Sequence, residues 1–94
     1  MFVTFVEAHV AADREFDLVS AWEAAPDSFP EGFIESSLVR SESGEWRIVT
    51  VWESREAVLA MRGAGRPAAL VMFEAAGASP TVSMWDVVGR KRPS

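Results

Sequence analysis

Phe2 to Val10 and Trp46 to Trp52 are runs rich in Val, Ile, Phe and Trp with only single polar residues between them, the make-up of strands that are apolar on both faces. Elsewhere the spacing lengthens to that of a helix. Asp13 is placed to cap a helix running to about Ala25, with Phe16, Val19, Trp22 and Ala25, or Leu18, Val19 and Trp22, as its apolar stripe. Pro26-Asp27 and Pro30-Glu31-Gly32 then break the chain into a loop. A second strand is predicted over Phe33 to Ser41, a Gly-containing hairpin over Ser41–Glu45, and a third strand over Trp46 to Trp52. Ser54 opens a helix to about Arg62, and acidic Glu56 suits that helix's positive end. After Gly63-Ala64-Gly65, Pro67 starts a short helix to about Ala76, where Gly77 stops it. A fourth strand spans Thr81 to Val88.

The order β-α-β-β-α-β is the split βαβ arrangement of ferredoxin-like folds. It predicts an α+β domain, an antiparallel four-stranded sheet with its helices on one face. Residues 1–89 form that domain, and 90–94 a basic tail. Period two sorts the strands into faces: Thr4, Val6, Ala8 and Val10 against Val3 and Phe5; Trp46, Ile48 and Trp52 against Val49 and Val51; Val82, Met84 and Val88 against Trp85 and Val87. Both faces are apolar, and helices cover only one. A second subunit is the natural cover for the other, so the expectation is a homodimer whose sheets close into an α/β barrel.

Composition narrows the chemistry. The 94 residues are 49% hydrophobic and 24% charged, which suits a single packed domain. The net charge of −5 argues against a nucleic-acid partner, since phosphates need a positive surface. No apolar run approaches the roughly 18–20 residues that span a bilayer, and no secretion signal is evident. With no cysteine there is no disulfide and no thiolate chemistry, in keeping with a cytoplasmic setting. Asn, Gln and Tyr are absent as well, so buried chemistry falls to His9, carboxylates, arginines, hydroxyls and indoles. Scattered carboxylates and one imidazole give no metal-ligand spacing.

PEGF at Pro30–Phe33, SLVR at Ser37–Arg40 and VTVWES at Val49–Ser54, with the Glu56-Ala57 that follows, resemble the antibiotic biosynthesis monooxygenase family of small dimeric α/β-barrel proteins. The resemblance covers nearly the whole chain. It implies a small-molecule pocket between helices and sheet, and oxidation of an aromatic or quinol-like substrate by O2 without metal or flavin. The family's haem-degrading members carry Asn in the first strand, Trp in the second helix and His in the third helical segment. The matching positions here hold about Val6, Met61 and Met72, so the resemblance does not extend to haem degradation. Polyketide-oxidising members place an Asn before the third-strand Trp, where this chain has Ile48.

His9 is the only imidazole and the natural general base near neutral pH; it could take a proton from a phenol or quinol, leaving an anion for O2 to attack. The plainer reading is a strand-end histidine facing solvent or a partner subunit. Glu7 shares His9's strand face, and either orients it or meets an arginine such as Arg40 or Arg47. The pocket reading takes in Trp52, Phe5, Ile48, Met61, Met72, Phe73 and Arg66. Trp52 is either a stacking wall or a core plug, the methionines either a plastic lining or core filling. Phe16 and Trp22 read as core. Arg66 is either an anchor for an anionic oxygen or a solvated side chain.

Three functions fit these residues. The first is a cofactor-independent monooxygenase acting on a small aromatic, polyketide-like or quinol compound. The second is a non-catalytic or stress-linked barrel holding a small apolar ligand. The third, an isomerase or decarboxylase, would use His9 and Glu7 for proton transfer.

Overall fold

The computed structural model describes residues 1–26 and 28–93; Asp27, part of the predicted loop, and Ser94, the end of the predicted tail, lie outside the described residues. Four strands, β1 (Phe2–His9), β2 (Phe33–Arg40), β3 (Glu45–Trp52) and β4 (Thr81–Asp86), form one antiparallel sheet in the order β2-β3-β1-β4. Three helices, α1 (Glu15–Glu23), α2 (Arg55–Gly63) and α3 (Ala68–Ala75), cover one face. This is the ferredoxin-like α+β architecture that the order of elements predicts. No helix among the described residues is long and apolar enough to cross a membrane.

Local chemistry explains most boundaries. Ser54 caps α2, its hydroxyl accepting a hydrogen bond from the Ala57 amide at 3.2 Å. Gly77, at φ +72°, ends the turn after α3. The first helix departs from expectation. Asp13 does not cap it but sits in a 3-10 turn at Ala12–Arg14, and no side chain caps α1 among the described residues. The Arg14 guanidinium instead donates to Asp17 at 2.7 Å and to the Ala75 carbonyl at 3.0 Å, tying the start of α1 to the end of α3. The carbonyl end of a helix favours such a cation.

The stripe that faces the core is Leu18, Val19 and Trp22, with Leu18 fully buried. Phe16, read as core, is 79% exposed, since it lies two residues from Leu18 and about 200° around the helix. Likewise β4 stops at Asp86, and Val88 is 96% exposed.

On the sheet the predicted faces hold. Phe2, Thr4, Val6 and Ala8 pair in register with Trp52, Thr50, Ile48 and Trp46, and all eight are buried beneath the helices. The core divides in two along this register. Val6, Ala8, Trp46 and Ile48 join Val10, Leu18, Phe73 and Ala76 at one end, and Phe2 and Trp52 join Val58 at the other. Thr4 and Thr50, buried polar residues, lie in the row between. The opposite face presents Val3, Phe5, Val49 and Val51, half-buried, and Trp85, 59% exposed. No helix covers it.

Candidate functional site

A cavity of about 880 Å³ opens over the row that separates the two core clusters. That volume is enough for a multi-ring compound. Its floor is the helix-facing side of the sheet: Ser36, Ile48, Thr50 and Trp52, then Thr4 and Val6, then Val82 and Met84. Trp22 of α1, Met61 and Arg62 of α2, and Leu70 and Met72 of α3 form the walls. Phe29 and Pro30 stand at the mouth.

An aromatic ladder runs from mouth to floor. Phe29, exposed, stacks on Phe33 with ring centroids 4.5 Å apart, and Phe33 meets Trp52 edge to face at 5.8 Å. The sequence places Trp52 for this role. It ends β3, and Ser54, the cap of α2, follows two residues later, so its indole lies between sheet and helix against Val58. The indole N–H donates to the Thr4 hydroxyl at 3.1 Å, and the Ser36 and Thr50 hydroxyls share a hydrogen bond of 3.0 Å. Ser36, Thr50, Thr4 and Met84 occupy one register line across all four strands. No local pattern in the sequence singles out these three hydroxyls as a group. Their signal was there in part, since Thr4 falls on the same face as Val6 by period two.

Two arginines reach the mouth, with different commitments. Arg66 lines the cavity, but its guanidinium grips Glu74, Nε donating to Oε1 at 2.9 Å with a second bond to Oε2. That hydrogen bonding, and then the carboxylate's charge, raises the Arg66 pKa above its ordinary value. Arg62 has no carboxylate partner among the described residues; its Nη1 lies 3.7 Å from the Met84 sulfur.

Of the residues grouped here by chemical type, Trp52, Ile48, Met61, Met72 and Arg66 do line the cavity. Phe73 is fully buried in the core under α3 and is not on the lining. Phe5, Glu7 and His9 are corrected more sharply, because strand alternation points them to the opposite face. Glu7 accepts a hydrogen bond from Arg47 Nε at 2.6 Å, the alternative pairing foreseen for it. His9 meets Glu45 at 3.2 Å with both side chains exposed. A general base for a ring held in the cavity is therefore not His9 of the same chain.

The only imidazole being on the other face, the cavity offers a haem iron no nitrogen ligand; it offers the thioethers of Met61, Met72 and Met84. A haem bound through histidine does not fit these residues. Among the described residues no cluster of three or more His, Cys, Asp or Glu side chains could hold a metal ion.

The sequence model of the antibiotic biosynthesis monooxygenase family matches residues 1–69. Among solved structures, the chain is 22% identical to a Streptomyces coelicolor monooxygenase from the gene ActVA-Orf6, crystallised with nanaomycin D. That match has a TM-score of 0.75 and covers 99% of this chain and 92% of that one. The haem degrader MhuD of Mycobacterium tuberculosis, with two haems bound in its active site, is 25% identical with a TM-score of 0.71; the match covers 98% of this chain and all of MhuD. No curated protein matches the chain.

Proposed function

The chain belongs to the antibiotic biosynthesis monooxygenase family, and from that premise we propose that it oxidises a small aromatic, polyketide-like or quinol compound with O2, drawing the electrons from the substrate itself. The observation that carries this is the cavity: about 880 Å³, apolar on most sides, with the Phe29–Phe33–Trp52 ladder along one wall. A planar ring replaces water there, and stacking on an aromatic adds about 0.5–1.5 kcal/mol beyond the area buried.

The chemistry balances without an added reductant. A phenol that reacts with O2 to give a quinone and water keeps one oxygen atom in a new C=O bond and releases the other as water. The ring supplies the electrons, two of its hydrogens leave in that water, and no metal or flavin is required. The chain's part is to desolvate the ring, hold it beside dissolved O2 and favour its anion. Arg62 at the mouth contributes a positive charge toward that end. With His9 turned away, the ring proton leaves toward the mouth, where Glu23 and solvent stand.

The test is oxygen uptake with a panel of naphthohydroquinones and anthrone-like phenols. Uptake at least tenfold above buffer, with labelled O2 giving one retained oxygen atom in the quinone, is the expected result. A compound retained in native mass spectrometry without any uptake would instead establish the second reading, a ligand-holding barrel with no chemistry. The lack of an imidazole in the cavity is the observation that favours that alternative.

A second copy of the chain covers the other face of the sheet. Val3, Phe5, Val49, Val51 and Trp85 form an apolar surface there, interrupted by the Glu7–Arg47 pair. Facing sheets of two copies bury these side chains as a β-sandwich does, about 10 Å apart. Sedimentation at micromolar concentration is expected to give twice the 10.3 kDa of one chain. Val49→Asp, at the centre of the face, is expected to shift the mass to that of one chain, because a buried unpaired carboxylate costs several kcal/mol. A single-chain mass for the unmodified protein sinks the dimer.

A further inference from the structure

We infer that the hydroxyl row Ser36–Thr50–Thr4 is a binding subsite for the carbonyl or phenolate oxygen of a planar aromatic ligand, with Thr4 as the positioning residue. This deepens the proposed function and rests on its reading of the cavity as a ring-binding site. It adds which atom of the ring is gripped, and by what.

The argument begins with the direction of one hydrogen bond. An indole nitrogen has a proton to give and no lone pair to receive one. The Trp52–Thr4 contact at 3.1 Å therefore runs from Trp52 Nε1 to Thr4 Oγ1. Thr4 keeps its own hydroxyl proton, and no described hydrogen bond uses it. The Ser36–Thr50 bond, 3.0 Å, consumes one of the two protons that this pair carries, whichever way it points. The floor thus holds two spare O–H donors.

Two of the three hydroxyl residues are almost wholly buried. Thr4 and Thr50 are 6% and 7% exposed, and both line the cavity with Ile48, Val6 and Met84 around them. Once a ring has displaced the cavity's water, a donor left without an acceptor costs about 1–3 kcal/mol, and a ligand oxygen removes that penalty. The ligand group must accept, because what the floor has to spare is protons. A quinone carbonyl or a phenolate meets that demand, and an ammonium group does not. The row crosses the sheet where the two core clusters part, and its hydroxyls form a polar patch in the otherwise largely apolar floor of the cavity. The indole that buttresses Thr4 is also the wall against which the ring stacks, so ring plane and ring oxygen are set by one contact.

The experiment measures 1,4-naphthoquinone and naphthalene binding by equilibrium dialysis, together with the infrared C=O stretch of bound naphthoquinone. In the unmodified protein the stretch is expected to move to lower frequency than in an apolar solvent. Thr4→Val is expected to weaken naphthoquinone about tenfold, leave naphthalene within twofold, and return the stretch toward its apolar-solvent value. Thr4→Ser, which keeps the hydroxyl, is expected to restore both readouts. Thr50→Val provides the same comparison should Thr4→Val fail to fold, with a smaller loss. An unshifted stretch in the unmodified protein, or a Thr4→Val variant that weakens both rings equally, overturns the subsite. Naphthalene binding without oxygen preference removes the hydroxyl row alone; a protein that binds neither ring takes the cavity reading down with it.

Discussion

Trp52→Ala is expected to destabilise the fold by about 3–5 kcal/mol, the range for emptying a buried indole site, and to abolish naphthoquinone binding. Trp52 is 4% exposed and holds together the smaller core cluster, packing with Phe2 and Val58 and meeting Phe33 edge to face. Domains of this size are stable by only about 5–15 kcal/mol, so this one truncation removes a large share. In a thermal melt each kcal/mol is worth about 4–8 °C at this length, so a fall of about 12–40 °C is expected. Part of the loss has a polar origin. Without the indole N–H, Thr4 loses its one donor and the floor its fixed geometry. Trp52→Phe separates the two contributions, since it keeps most of the packing and loses the N–H. It is expected to recover more than half of the stability while leaving naphthoquinone binding weak. A Trp52→Ala variant that melts within about 5 °C of the parent would show that the indole is neither plug nor wall.

How legible this site is in the sequence depends on the kind of information each part requires. Ser54 as the cap of α2, and Trp52 just before it, follow from residues a few positions apart, and local rules recover them. The two faces of β1 and β3 follow from parity alone. That same parity, applied to His9 and Glu7, turns them away from Val6 and Ala8, hence away from the cavity. Grouping them with the ring, by chemical type rather than by position on the strand, sets aside the better of two available signals. The phase of α1 is different. Nine residues make two and a half turns, and the stripes containing Phe16 and Leu18 share Val19 and Trp22. Only packing against α3 and the sheet decides between them. The hydroxyl row is the least legible part, because it depends on register between strands. Ser36 meets Thr50 after an irregularity in β2 between Phe33 and Glu35, which no strand pattern reveals.

Gly32→Ala is expected to destabilise by about 2–5 kcal/mol, through two separable causes. Gly32 has φ +84°, where a side chain costs about 1–2 kcal/mol. A Cβ built there would also lie 2.4 Å from the Ala57 Cβ, against the roughly 3.5–4.0 Å at which carbons rest. To relieve that overlap the first turn of α2 must move by about 1 Å. That turn carries Ser54's cap, and Val58 and Met61 beyond it line the cavity. The Gly32 carbonyl accepts a hydrogen bond from the Glu53 amide at 2.8 Å, so the turn before β2 and the entry to α2 move together or not at all. Stability and ring binding should therefore fall in step. Adding Ala57→Gly to Gly32→Ala removes the overlap and leaves the backbone strain. Measured against Ala57→Gly alone, the second glycine substitution should then cost only about 1–2 kcal/mol. The difference is a coupling of about 1–3 kcal/mol between residues that touch. Urea denaturation of the four proteins measures it directly. Additive effects across that cycle would mean that the approach of Gly32 to α2 is not what holds the mouth of the cavity in place.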